Sequence, residues 1–192
     1  LHYPLRRQRQ MCIRDRNRKD LGKISVIVST YNRCDALQVC LLSLFKQTVL
    51  PDEVIIGDDG STEETASLIA RLQEQAPFPI IHVWHEDKGF RLAMMRNKCV
   101  ARSTGNYIIE IDGDVFLHPE LIADHLREAG RGIYVKGGRV NLGKELTEEI
   151  CKSGMVRPIH VWTKGIESKP ENAIHCICLL YTSPSPRDRT RS

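Results

Sequence analysis

Residues 105–116 read Gly105-Asn106-Tyr107-Ile108-Ile109-Glu110-Ile111-Asp112-Gly113-Asp114-Val115-Phe116. The run Tyr107–Ile111 has the length and β-branching of a buried strand, carries one acid, and delivers two carboxylates at its end. In an extended chain the side chains of Asp112 and Asp114 point the same way. Two like charges on one side repel unless a cation lies between them. Hard divalent cations such as Mg²⁺ or Mn²⁺ take carboxylate oxygens and often hold substrate phosphates in their remaining positions. Gly113 leaves room for a ligand to approach the backbone. The plainer alternative is a solvated turn rich in Asp and Gly. Its position directly after an apolar strand favours the cation reading.

Outward from this strand, short apolar runs alternate with amphipathic stretches, which predicts an α/β fold with a mostly parallel, twisted sheet flanked by helices. Ile24–Ser29 reads as the first strand, Asp35–Lys46 as a helix with Leu37, Leu41, Leu44 and Phe45 near one face, and Glu53–Asp58 as the second strand. Ser61-x-x-Glu64 is a capping-box signature opening a helix over Glu63–Gln75. Ile80–His85 is the third strand, Arg91–Arg102 a helix ended by Gly105, and Ile133–Lys136 a fifth strand after Tyr107–Ile111. The pattern weakens from Asn141 onward, and there are no internal repeats.

In open α/β sheets ligands sit beyond the carboxyl ends of the strands. The first strand ends in Ser29-Thr30-Tyr31-Asn32, the second in Asp58-Asp59, the fourth in Asp112-Gly113-Asp114. One of Asp58 and Asp59 reads as a turn former with local hydrogen bonds. The other reads as a carboxylate accepting from a nucleobase N–H. Tyr31 can pack as half-buried core or stack on a base. Arg91 and Arg96 are either solvated charges or diphosphate contacts. His118 and His125 read as surface or cap residues rather than metal ligands.

The 192 residues carry a net charge of +4 and seven cysteines. Both ends distort these figures. Residues 1–16 and 178–192 are basic and without helical or strand period, and together hold eight arginines against two aspartates. Met11–Asp15 can be coded as ATG TGT ATA AGA GAC. The reverse complement of that stretch lies inside TGT CTC TTA TAC ACA TCT, which codes Cys178–Ser183. The two ends therefore resemble one sequencing-library adapter read on opposite strands, and the native segment is expected to span residues 17–177. That segment is slightly acidic, so the apparent basicity gives no reason to propose nucleic-acid binding. Its cysteines, Cys34, Cys40, Cys99, Cys151 and Cys176, form no Cys-x-x-Cys pair and no disulfide framework. A reducing, cytoplasmic setting fits them best. No run reaches the roughly 18 apolar residues of a membrane span.

The stretches ISVIVSTYNR (24–33), QTVLPDEVIIGDDGSTEET (47–65) and DKGFRLAMMRNKCVARSTGNYIIEIDGD (87–114), with Pro119 after them, strongly resemble the family 2 glycosyltransferases, inverting enzymes of the GT-A fold. The resemblance runs from about Lys23 to Arg139, and DKGFRLAMMRN (87–97) looks most like a subgroup related to bacterial chondroitin-type polymerases and galactosyltransferases. It implies that Ser29 to Tyr31 and Asp59 hold the nucleotide base, usually uracil, and that Arg91 approaches the diphosphate. It also implies that Asp112 contacts the donor ribose or sugar and that Asp114 binds Mn²⁺ or Mg²⁺. The partners implied are a nucleotide-sugar donor and a glycan or saccharide acceptor. A peripheral membrane association in the full-length protein is compatible with that role.

The family's catalytic base lies well downstream of Asp-x-Asp, often in a Glu-Asp pair. After Asp114 the segment offers Glu120, Asp124, Glu128, Glu145, Glu148, Glu149, Glu167 and Glu171, none in that motif. The downstream half with the base is therefore expected to be missing. Two alternatives stay open: a non-catalytic nucleotide-binding remnant, and a haloacid-dehalogenase-like phosphatase using Asp112 and Asp114. The phosphatase family wants Thr or Val where Phe116 stands and carries its motif on the first strand. A sugar-nucleotide pyrophosphorylase would need a glycine-rich phosphate loop where this chain has STYNR (29–33).

Overall fold

The computed structural model describes residues 22–130, 133–154, 159–160, 162–168 and 181–184. In chain order the first seven elements are β1 (Ile24–Thr30), α1 (Cys34–Phe45), β2 (Glu53–Asp58), α2 (Glu63–Gln73), β3 (Ile80–Trp84), α3 (Leu92–Arg102) and β4 (Tyr107–Asp112). The expected alternation of strand and helix holds throughout this part. All three strand pairings are parallel, and the sheet order is β3-β2-β1-β4. β1 is buried along its whole length, as befits a central parallel strand covered on both faces.

The period-two alternation of the strands sorts the core into two layers. Val26, Val28, Val54 and Ile56 pack with Leu37, Leu41 and Leu44 of α1 and Leu68, Ile69 and Leu72 of α2. On the opposite face Ile27 and Ile55 meet Met95 and Cys99 of α3. Beyond α3 this second face is thinly covered: Ile108 and Glu110 of β4 are exposed. That explains an acid inside an otherwise apolar strand.

The later part departs from expectation. After β4 come α4 (Leu121–Glu128), β5 (Ile133–Lys136), β6 (Asn141–Leu142), α5 (Lys144–Ser153), β7 (Ile166–Ser168) and β8 (Tyr181–Pro184). α4 buries Ile122 and Leu126 in the first layer, and Gln47 holds its start by donating to the His118 carbonyl at 2.8 Å. α5 lays Leu146 and Ile150 on Val39 of α1. His125 is buried, not a surface residue: its Nδ1 lies 3.0 Å from the Tyr107 hydroxyl, and burial pulls its imidazole below the ordinary range. β8 pairs antiparallel with β5 in a stretch without strand periodicity. Ladder bonds are made by backbone and do not require alternating side chains. Residues 1–21, 169–180 (with Glu171, Cys176 and Cys178) and 185–192 lie outside the described residues.

The capping box does not form. The N-cap of α2 is Thr62, with no side-chain cap bond, and Ser61 Oγ instead accepts the Asn32 backbone N–H at 2.9 Å. Cys34, Cys40, Cys99 and Cys151 are free thiols. No helix among the described residues is long and apolar enough to cross a membrane.

Candidate functional site

The sheet order places the site. β1 connects through α1 to β2 on one side, while β4 lies on its other side, so the connections diverge at the β1/β4 boundary. A crevice opens at such a switch point, outside the carboxyl ends of the strands. In register, Ser29 faces Asp112 across β1 and β4, and Thr30 faces Asp58 across β1 and β2. The three sequence clusters therefore meet at one sheet edge.

Asp112 ends β4, and the chain turns immediately. Gly113 N–H donates to the Ser29 carbonyl at 2.7 Å, and Val115 N–H reaches back toward the Asp112 carbonyl at 3.4 Å. Asp114 therefore sits in a turn and is exposed, so the extended-chain argument for parallel carboxylates stops at Asp112. Gly113 serves packing: it is buried, and a Cβ there would meet the Ser29 carbonyl oxygen at 2.9 Å. Beneath both acids lies Cys40, whose thiol is pushed up to about 12 by burial and then by the carboxylates of Asp114 and Asp112. It stays protonated and inert.

The Asp112 carboxylate is bracketed by two guanidiniums. Arg96 reaches Oδ1 at 2.9 Å and Arg139 reaches Oδ2 at 3.0 Å. Arg96 also pairs with Glu110 at 2.7 Å and approaches Ser29 Oγ at 3.4 Å. So Arg96 holds the strand's acids, a role beside the solvated charge or diphosphate contact read from the sequence. Arg91 is the N-cap of α3, and its side chain donates to the Glu86 carbonyl. Two polar atoms at this edge are buried without a protein partner: Thr30 Oγ1 and Arg91 Nε. A buried polar atom left alone is costly, so each marks a place where a bound group would complete the bonding.

The second-strand acids divide as the sequence suggested. Asp58 is the turn former: its side chain is 1% exposed, Oδ1 accepts Ser61 N–H at 2.7 Å and Oδ2 lies 3.1 Å from His82 Nε2. Burial pushes its carboxyl up, but the bonds from His82 and Ser61 outweigh it and hold it below the ordinary range. Both of its oxygens are engaged by the turn and by the neighbouring strand. Asp59 accepts from Arg91 N–H at 3.0 Å through Oδ2 and lies 2.6 Å from His85 Nε2 through Oδ1. A carboxylate has about four acceptor positions, so Asp59 retains capacity for a ligand. Asn32 has φ +47 and is committed to the neighbouring turn, accepting Thr62 N–H at 3.0 Å. Tyr31 is half exposed and donates to Asp87 Oδ2 at 2.9 Å; that bond holds its hydroxyl above the ordinary tyrosine range.

His85, Lys98 and Arg139 were not singled out from the sequence. Lys98 lies 13 residues and Asp59 26 residues from His85, so only the fold joins them. The one signal was a run of polar residues, HED (85–87), where the third strand ends.

A divalent cation fits this edge in one way. Among the described residues no group of three or more His, Cys, Asp or Glu could hold a metal alone. Asp114 is exposed, whereas Asp112 is neutralised by two arginines. One carboxylate with substrate phosphates as further ligands is a donor set that Mg²⁺ or Mn²⁺ accepts.

Residues 25–178 match the model of the family described as "Glycosyl transferase family 2". An uncharacterized glycosyltransferase of Nostoc, alr2836, is 38% identical over 92 residues, covering 48% of this chain and 28% of that protein. The chondroitin synthase of Pasteurella multocida is 27% identical over 174 residues, covering 79% of this chain and 18% of that protein. The chain thus spans under a third of the length of these relatives. Among solved structures, the mannosyltransferase PcManGT of Pyrobaculum calidifontis, in complex with GDP-Man and Mn²⁺, superposes with a TM-score of 0.53 at 20% identity. That overlap covers 76% of this chain and 47% of that one. The α/β sheet with its flanking helices is the GT-A architecture.

Proposed function

The chain belongs to glycosyl transferase family 2, and on that premise we propose that it carries the donor-binding part of an inverting, metal-dependent sugar transferase that uses a UDP-sugar. The observation that carries this reading is the register that brings Ser29 against Asp112 and Thr30 against Asp58 at the carboxyl edge of the parallel sheet.

In this reading Asp59 accepts from the base, with Tyr31 as its stacking surface. Thr30 and Arg91 meet the ribose and diphosphate. Asp112, held by Arg96 and Arg139, contacts the donor ribose or sugar, while Asp114, with Asp112 behind it, holds Mn²⁺ or Mg²⁺. The cation supplies charge compensation for the leaving nucleoside diphosphate. An acceptor hydroxyl of a glycan attacks the anomeric carbon with inversion, deprotonated by a carboxylate. That base is not placed among the acids after Asp114: Asp124 pairs with Arg127, and Glu148 with Lys144 and Lys152. We also propose that this chain on its own binds donor without turnover, and sugar transfer from a UDP-sugar by it would contradict that. We further propose glycan-chain synthesis at the cytoplasmic side, with the full-length enzyme at the membrane surface. The adapter origin of residues 1–16 and 178–192 is likewise our reading; sequencing the source gene outward past the codons for Asn17 and Ile177 tests it.

The experiment is a thermal melt with UDP, with and without Mn²⁺. A ligand that binds only the folded state raises the midpoint, by about 2.7 kcal/mol of stabilisation at a hundredfold excess over Kd. A rise that needs both UDP and Mn²⁺ and vanishes in Asp114→Ala supports the reading. A rise with phosphate analogues and none with UDP would favour the phosphatase alternative, against which the family match stands.

A further inference from the structure

Behind Asp59 lies a chain of groups that the donor site does not use directly. His85 follows β3, is 7% exposed, and places Nε2 at 2.6 Å from Asp59 Oδ1. Its other nitrogen, Nδ1, lies 3.2 Å from Lys98 Nζ on α3. A lysine ammonium has three donors and no acceptor, so Nδ1 must accept. A neutral imidazole that accepts at Nδ1 carries its hydrogen on Nε2. Nε2 therefore donates to Asp59, whose carboxylate can only accept, so Lys98 and Asp59 hold the same tautomer from its two sides. On its other side Oδ2 receives Arg91 N–H at 3.0 Å, and the Asp59 backbone N–H donates to the Thr30 carbonyl at 3.0 Å. Both oxygens are thus fixed by donors from separate elements, and the carboxylate cannot rotate to present another face.

We propose that His85 and Lys98 form a relay that locks the acceptor geometry of Asp59 and thereby sets the choice of base. An imide-type ring N–H, as in uracil or guanine, is accepted over the hydrogen-free ring nitrogen of cytosine or adenine. The proposal rests on Asp59 facing the base. His85 and Lys98 are positioning residues: they act through Asp59 and touch no nucleotide. A carboxylate free to turn would spend part of its population with the wrong lone pair toward the base. It would bind every nucleotide through the same diphosphate contacts and lose only the discrimination. The relay therefore shows in a ratio of affinities and not in overall binding.

Calorimetric titration of the whole chain with UDP and CDP, and with GDP and ADP, at fixed Mn²⁺ gives that ratio. The wild type prefers UDP over CDP, or GDP over ADP if its base is guanine. His85→Leu lowers the affinity for the preferred nucleotide about tenfold, the size of one lost charge-assisted bond, and leaves its partner nucleotide unchanged. Lys98→Met removes the donor that holds Nδ1, loosens the ring and gives a partial loss, about threefold. His85→Gln, which keeps a donor at the Nε2 position, and Lys98→Arg both restore the ratio. Equal losses for both nucleotides in His85→Leu mean a merely structural role and overturn the relay. If Asp59→Asn collapses the ratio but His85→Leu and Lys98→Met leave it within twofold, the relay fails while the base contact stands. If Asp59→Asn leaves the ratio unchanged, or the wild type binds neither UDP nor GDP, the base-contact reading itself fails. Should His85→Leu not fold, Lys98→Met decides alone, because its side chain is exposed.

Discussion

At the scale of single residues, the acids at the strand ends were legible and their division of labour was not. Asp58 and Asp59 are neighbours of one type, yet one is sealed into a turn with Ser61 and His82 while the other faces His85 and Arg91. Both are buried, so partners decide that, and partners depend on which way a residue points at the last step of a strand. Gly113 was identified as special for ligand approach, and its close contact is with the carbonyl of a residue 84 positions away in sequence. The Asp58 carboxyl is held below its ordinary value, so it contributes stability above about pH 4, where the unfolded carboxyl is already ionised. That contribution is lost as pH falls through the lower folded value. Asp58→Asn keeps an oxygen for Ser61 N–H and removes the charge. We expect it to cost about 1–2 kcal/mol at pH 7 and to show a shallower loss of stability below pH 5 than wild type in denaturant titrations. Parallel pH profiles for the two proteins would contradict this.

Elements were largely readable where period and breaker agreed. The five expected strands and first three helices lie within two residues of their expected bounds, because β-branched runs and amphipathic stretches are separated by Pro51, Asp59-Gly60 and Gly105. The short helices α4 and α5 were not read: α4 buries only Ile122, Ala123 and Leu126 of its apolar residues, and α5 only Leu146 and Ile150. The capping box failed because a tertiary donor, Asn32 N–H, took the Ser61 hydroxyl first. Strand order was also beyond the sequence, since β1–β4 pairing joins segments that periodicity treats as independent. That pairing depends on Gly113. A methyl there would press on the Ser29 carbonyl and on Thr30 and Leu37. Gly113→Ala is expected to cost about 1–3 kcal/mol and to displace Asp112 and Asp114. The check is a midpoint drop together with a weakened UDP and Mn²⁺ response. A variant with wild-type melting and binding would show that the strand end tolerates the methyl.

For the whole molecule, the order β3-β2-β1-β4 turns four separate motifs into one site. Ser29 and Thr30 of β1, Asp58 of β2 and Asp112 of β4 lie at one edge of the sheet, where the connections diverge at β1/β4, with Asp59 directly after β2. In the proposed reading, the described chain supplies surfaces for base, ribose, diphosphate and cation. Longer relatives hold the remainder of their length outside the region matched here. The central claim is that a nucleoside diphosphate and a divalent cation meet at this crevice. Mn²⁺ is paramagnetic and broadens nearby amide resonances, so an NMR titration locates it directly. With UDP present, substoichiometric Mn²⁺ is expected to broaden the amides of Ser29, Thr30 and residues 112–114 selectively, and to do so far less in Asp114→Ala. Broadening centred elsewhere on the chain, or broadening of residues 112–114 that is indifferent to UDP and to Asp114, would contradict the account.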